Sequence, residues 1–98
     1  MTATRGLLAL LEAKPDKGDE LGMFLKAGRT LAIQEAGTLT WYAFRINHTT
    51  YGIFDSFETE DARQAHLGGA IPTALGEVAA DLLVKDPDIR PVDVIAVK

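Results

Sequence analysis

One acid and one histidine lie in a stretch that otherwise looks like protein core: YGIFDSFETEDARQAHLGG, residues 51–69. Asp55 shares strand parity with Tyr51, Ile53 and Phe57, so its carboxylate faces an apolar surface, where a charge needs a partner. His66 follows on a short helical stretch rich in alanine. Because histidine titrates near neutral pH, His66 is a candidate general base, with Asp55 as the acid that would orient it.

Each of these two residues also has a purely structural interpretation. A histidine on an inward helical stripe is often a core residue bonded to a backbone carbonyl, and this is the more frequent case. Asp55 could form an ion pair with Arg45 on the neighbouring strand or with Arg63 on the following helix. The sequence leaves both choices open.

Aromatic residues cluster on the same strands and could form flat walls for an aromatic ligand. Aromatics on a small sheet are more often plain core. The candidates for a ligand wall are Trp41, Tyr42, Tyr51, Phe54 and Phe57.

Several other chemistries find no support in the sequence. The chain has no cysteine, which excludes thiol nucleophiles and thiolate metal sites. His48 and His66, its two histidines, are not at metal-ligand spacing, so we expect no metal site. The net charge of −4 and the scattered basic residues argue against nucleic-acid binding. No glycine-rich phosphate loop follows a strand, and no serine lies in a nucleophile-elbow pattern.

The elements that must position Asp55 and His66 can be predicted from periodicity. Strands are expected at 5–13, 38–47 and 51–57, with a last strand that begins at Pro91. A helix is expected between an N-cap at Asp16 and a stop at Gly37. A second helical region begins after Thr59, breaks at Gly68–Gly69 and continues from Pro72 until Asp86–Pro87 ends it.

This order is β-α-β-β-α-β, which predicts one α+β domain over residues 1–98 with a ferredoxin-like antiparallel sheet and helices on one face. The uncovered face should be polar, yet both parities of LLALL and of WYAFRI are apolar. Two such faces packed together would remove the exposed patch, so we expect a homodimer joined through the sheet faces. No apolar run is long enough to span a membrane, and we expect a cytoplasmic protein.

The element order, the apolar sheet and the stretch FDSFETEDARQAHLGGAIPTAL resemble the antibiotic biosynthesis monooxygenase family, also called quinol monooxygenase-like, of the dimeric α+β barrel superfamily. The family pattern is an apolar strand with an acid, an aromatic residue, and a short helix with alanine and histidine. Asp55, Phe57, Ala62, His66 and Leu67 match that pattern in order.

The resemblance implies a cofactor-free monooxygenase that acts on an electron-rich aromatic molecule, such as a quinol, phenol or anthrone, together with O₂. It casts His66 as base or anion partner and Asp55 as the residue that sets its tautomer. Arg45 or Arg63 would stabilise the oxyanion. Trp41, Tyr51 and Phe57 would line the substrate pocket.

Departures from the family limit what carries over. Many members have glutamate at the position of Asp55 and tryptophan at that of Phe57. The haem-degrading branch needs an asparagine on the first strand and a histidine where this chain has Gly76, so we expect no haem. Two alternatives remain: a non-catalytic dimeric module that binds a small molecule or serves in stress, and another proton-transfer enzyme of the same superfamily.

Overall fold

The computed structural model describes residues 2–98 and contains one four-stranded sheet with its helices on one side. All neighbouring strands are antiparallel, in the order β2-β3-β1-β4. This is the ferredoxin-like arrangement, so the predicted fold class is confirmed. The elements are β1 (Arg5–Glu12), α1 (Gly18–Ile33), β2 (Thr38–Arg45), β3 (Thr50–Phe57), α2 (Glu60–Leu67), α3 (Ala70–Leu82) and β4 (Asp88–Asp93).

The predicted ends of the first helix were wrong. α1 begins after Lys17, without a side-chain cap, so Asp16 is not its N-cap. At the other end, Gln34 keeps an ordinary right-handed backbone (φ −79°), and the helix stops before Gly37. Gly37 serves a different purpose, since a Cβ there would lie 2.9 Å from the Cβ of Ala62 on α2. Its small size lets the loop after α1 approach α2 closely.

The last strand was also placed too far along the chain. β4 ends at Asp93, and Pro91 lies inside it instead of at its start. A proline is tolerated there because β4 is an edge strand that pairs only with β1, and an edge strand leaves alternate N–H groups unused.

The short helix α2, which carries His66, begins and ends as predicted. The Thr59 hydroxyl accepts a hydrogen bond from the Ala62 backbone N–H at 3.1 Å, a helix N-cap. Glu60 and Asp61 lie in the first turn and His66 in the last, the arrangement that the helix dipole favours. Gly68 and Gly69 then separate α2 from α3, which confirms the predicted break. The predicted ends of α3 were wrong, since it begins at Ala70, before Pro72, and stops at Leu82, before Asp86–Pro87.

The core lies between the helices and one face of the sheet. It is built from apolar side chains of β1, β3, α1 and α3, chiefly Leu11, Tyr51, Ile53, Leu21, Leu25, Leu75 and Leu82. On the uncovered face, Tyr42, Phe44 and Ile46 are 59%, 37% and 58% exposed. The expected apolar character of both faces is therefore present.

No helix within residues 2–98 combines the length and the apolar character needed to cross a membrane.

Candidate active site

His66 lies between two carboxylates. Its Nε2 is 2.9 Å from Asp55 Oδ2 on β3, and its Nδ1 is 2.6 Å from Glu35 Oε1 in the loop after α1. The side chains of Asp55 and His66 are only 2% and 6% exposed. The partner of Asp55 is thus His66, and neither Arg45 nor Arg63 pairs with it.

The two carboxylates set the charge of the ring. Burial by itself lowers the pKa of His66, but the hydrogen bonds and negative charges of Asp55 and Glu35 outweigh it and raise the pKa from 6.5 to about 9. His66 is therefore an imidazolium at neutral pH, and each ring N–H donates to one carboxylate. The cluster Asp55–His66–Glu35 carries two negative charges and one positive charge, a net charge of −1.

Sequence reasoning missed Glu35, and no local signal could have identified it. Glu35 and His66 are 31 residues apart, and Glu35 follows α1 in a stretch that reads as an ordinary polar loop. Its Oε1 also accepts a hydrogen bond from the Thr38 hydroxyl at 2.7 Å. That second bond fixes the carboxylate at the start of β2.

The other oxygen of Asp55 and the indole nitrogen of Trp41 form an unusual pair of buried polar atoms. Asp55 Oδ1 and Trp41 Nε1 each lack a hydrogen-bond partner within residues 2–98. The two residues are direct cross-strand neighbours on β3 and β2. Buried polar groups are normally satisfied, so this free acceptor and free donor mark a place where a polar ligand atom would be bound favourably.

Trp41 also borders a cleft of about 910 Å³ between α1 and the edge strand β2. Its lining includes Met23 and Leu25 from α1 and Tyr51 from β3. Because β2 is an edge strand, the lining also reaches Tyr42 and Phe44, whose side chains belong to the uncovered face. A smaller apolar cavity of about 100 Å³ touches Trp41 as well, between α1 and α3. The cleft has the size of a small-molecule site.

The structure divides the predicted site residues into three groups. Trp41, Arg45 and Tyr51 line the cleft. Asp55 and His66 form the buried cluster, and the fully buried Phe57 packs on His66 with ring centroids 5.3 Å apart. Phe57 thus covers the imidazole and does not line the cleft.

Arg63 lies away from both the cleft and the cluster. Its Nη1 donates to the backbone carbonyls of Gly6 and Val92, each at 3.2 Å, and its remaining nitrogens bind Glu60. It therefore ties α2 to β1 and β4, and the structure does not bring it to the site.

No group of three or more histidine and acidic side chains in residues 2–98 has the geometry to hold a metal ion. His48 lies in the exposed turn between β2 and β3, at the opposite end of β3 from Asp55.

The comparison that decides the family is with NE2512 of Nitrosomonas europaea, a crystallised protein of unknown function. It is 42% identical, the match covers 98% of this chain and 93% of that chain, and the TM-score is 0.96. The chain belongs to the family of NE2512. Its membership by itself assigns no activity.

More distant members of the same fold include PA3566 of Pseudomonas aeruginosa, with 19% identity, a TM-score of 0.82 and 98% of both chains covered. A Nitrosomonas europaea protein named "putative antibiotic biosynthesis monooxygenase" has 14% identity and a TM-score of 0.83, with 94% of this chain and 99% of that chain covered. At these identities the likeness shows a shared fold. No family model matches the sequence, and no curated protein is significantly similar to it.

Proposed function

We propose that the protein is a cofactor-independent monooxygenase that oxidises an electron-rich aromatic molecule, of the quinol, phenol or anthrone type, with O₂. The observation that carries this proposal is the buried Oδ1 of Asp55, which has no hydrogen-bond partner and belongs to the cross-strand neighbour of Trp41. The other carboxylate oxygen of Asp55 is bonded to His66. The protein named "putative antibiotic biosynthesis monooxygenase" has the same fold, and this supports the reaction class by analogy alone.

The proposed reaction begins with proton removal. An anthrone-type substrate loses a proton to the cluster, and its anion passes one electron to O₂, which gives a substrate radical and superoxide. The two combine into a peroxide anion, which takes the proton back from the cluster and then loses water to leave a quinone. One O₂ is consumed, one oxygen atom enters the product, and the other leaves as water.

The charge of the cluster suits it to accept that proton. The net charge of Asp55–His66–Glu35 rises from −1 to zero when the cluster takes up one proton. The attraction between the negative cluster and the proton is stronger in a buried site, where the dielectric constant is low. The substrate hydroxyl or acidic C–H would approach Oδ1, and the Trp41 indole N–H would donate to the substrate oxygen.

This arrangement changes the roles that the sequence suggested. Each ring nitrogen of His66 is hydrogen-bonded to a carboxylate, so neither nitrogen is free to exchange a proton with a substrate. His66 would instead position Asp55 and hold its charge, and Asp55 would accept the proton. Because Oδ1 is sealed from solvent, substrate entry requires Trp41 to shift, and the small cavity beside it offers room.

A second function is favoured by that same sealing. A protein that merely binds an aromatic metabolite in the open cleft needs neither access to Asp55 nor a free ring nitrogen. Another proton-transfer enzyme would use the cluster without O₂.

Oxygen uptake separates these functions. Purified protein, without added metal or flavin, is mixed with a panel of quinols and anthrones in an oxygen electrode. Uptake above the spontaneous rate, with one oxygen atom of O₂ in the product and no hydrogen peroxide released, supports the monooxygenase. Saturable binding without uptake supports the binding module, and turnover under nitrogen supports the other proton-transfer enzyme.

We also propose that the protein is a homodimer joined through the uncovered sheet face. Leu8, Leu10 and Phe54 extend the exposed apolar patch of β2 across the sheet. A second copy would bring an identical patch of matching size and polarity, as a two-fold contact requires.

A further inference from the structure

Three cationic side chains surround the cleft between α1 and β2. Lys26 and Arg29 reach it from α1, and Arg45 reaches it from the end of β2. A single acid, Asp19, lines the same cleft. Within the part of the chain that the structure describes, none of the three cations takes part in an ion pair, although seven ion pairs occur elsewhere.

The placement of these cations follows from helical spacing. Gly22, Lys26 and Arg29 recur at intervals of four and three residues and so share one face of α1. The same face lies against the aromatic wall, because a Cβ on Gly22 would be 3.2 Å from the Tyr51 ring. The cationic rim and the aromatic wall are therefore parts of one cleft.

A positive rim is unexpected in a protein whose net charge is −4. Cations that line one cleft without acidic partners repel one another, and an anion bound among them would lower the electrostatic free energy of the rim. The apolar wall in turn favours a flat ring system. A ligand that combines a negative charge with a flat aromatic ring would interact favourably with both the cationic rim and the aromatic wall.

We propose that the cleft binds an aromatic carboxylate, with its ring against Trp41 and Tyr51 and its carboxylate between Lys26, Arg29 and Arg45. The inference rests on the proposed function for the identity of the reacting ring, but not for the binding itself. It names the substrate class as a polycyclic aromatic acid.

The two ends of the site impose an orientation on such a ligand. The Asp55–His66–Glu35 cluster has a net charge of −1 and repels a carboxylate, whereas the rim attracts it. The ligand carboxylate therefore lies at the rim, and the opposite end of its ring system points past Trp41 toward Asp55, which is the cross-strand neighbour of Trp41 and does not itself line the cleft. That end is the one from which a proton would be removed.

Binding can be measured directly because Trp41 is the only tryptophan of the chain. The probes are anthraquinone-2-carboxylate and its neutral carboxamide, which differ in charge but scarcely in shape. Quenching of Trp41 fluorescence and titration calorimetry give Kd for both at low and at moderate salt. The matched control is Lys85→Gln, which removes a cation outside the cleft.

The carboxylate should bind at least about fivefold more tightly than the carboxamide at low salt, and added salt should narrow the difference. Lys26→Gln, Arg29→Gln and Arg45→Gln should each weaken carboxylate binding about twofold to fivefold and leave carboxamide binding unchanged. Lys85→Gln should change neither. Equal Kd values for the two probes, no binding of either, or an undiminished preference for the carboxylate in a variant that carries all three substitutions would each overturn the proposal.

The proposed monooxygenase activity and the proposed anion site can be tested independently. Oxygen uptake with neutral anthrones, combined with equal affinity for the two probes, would leave the monooxygenase intact and remove the anion site. Selective carboxylate binding in a protein that consumes no O₂ would leave the anion site intact and remove the monooxygenase.

Discussion

His66 Nε2 lies 2.9 Å from Asp55 Oδ2, and this bond joins the last turn of α2 to β3, one of the two central strands. Glu35 holds the opposite ring nitrogen at 2.6 Å, so one imidazolium connects a helix, a strand and the loop that leads into β2. The same cluster that would receive a substrate proton is therefore also a structural junction, and it can be tested through stability as well as through activity.

Replacement of the histidine should destabilise the fold strongly. His66→Gln removes the cation between two carboxylates and leaves Asp55 buried without its charge partner, which costs about 3–5 kcal/mol for a buried pair. Urea unfolding measures the loss. His48→Gln, in the exposed turn, is the matched control and should change stability by less than about 0.5 kcal/mol. Similar midpoints for the two variants would show that the cluster does not hold the fold together.

Stability should fall as the pH rises through the pKa of His66. The folded pKa, about 9, is above the ordinary value of 6.5, so the folded protein holds a proton that the unfolded chain releases first. This contribution of about 3 kcal/mol is complete below pH 6.5 and is lost as the pH rises through about 9. The free energies of unfolding of the wild type and of His66→Gln, measured at pH 6 and at pH 9.5, isolate the contribution of His66. A stability difference between the two proteins that is the same at both pH values would contradict the raised pKa.

Glu35 should be part of what raises that pKa. Glu35→Gln keeps the size of the side chain but removes one of the two negative charges that face the ring. The pKa of His66, followed by the NMR shifts of its ring protons, should then move down from about 9 toward 6.5. Glu58→Gln removes an exposed acid and should leave the titration curve unchanged. If Glu35→Gln also leaves it unchanged, the contact with Nδ1 has no electrostatic effect.

Dimer formation should depend on the uncovered face of the sheet. Phe44→Glu places a charge on the exposed apolar patch, next to Tyr42 and Ile46 of the same strand. Sedimentation velocity at micromolar concentration should show a dimer for the wild type and a monomer for this variant. Met23→Glu is the control, since Met23 is 74% exposed but lies on α1. A monomeric wild type would remove the proposed dimer.

The fold could be predicted because each element carries a clear local signal. Thr59 with its following acids gives a helix start, and the double glycine at 68–69 gives a break; both are local effects of backbone chemistry. The errors fell at ends without such chemistry. α1 begins without a side-chain cap, and β4 includes a proline that only its position at the edge permits.

The site was predictable only in part, for a different physical reason. Strand parity and helical spacing correctly turned Asp55 and His66 inward, but their mutual contact was one of several choices. Glu35 depends on tertiary packing across 31 residues, which no periodicity encodes. Arg63 lies on the same short helix as His66, which made it a candidate partner for Asp55. Its guanidinium instead donates to backbone carbonyls of two strands.

The most direct test of the account is oxygen uptake by the Asp55→Asn variant with the best aromatic substrate of the wild type. The amide keeps the shape of the side chain but cannot accept a proton as a carboxylate does, so the rate should fall by at least about a hundredfold. Asp61→Asn, on the exposed side of α2, should retain the wild-type rate, and melting curves confirm that each variant is folded. A folded Asp55→Asn protein that consumes O₂ at the wild-type rate would contradict the central role of this cluster.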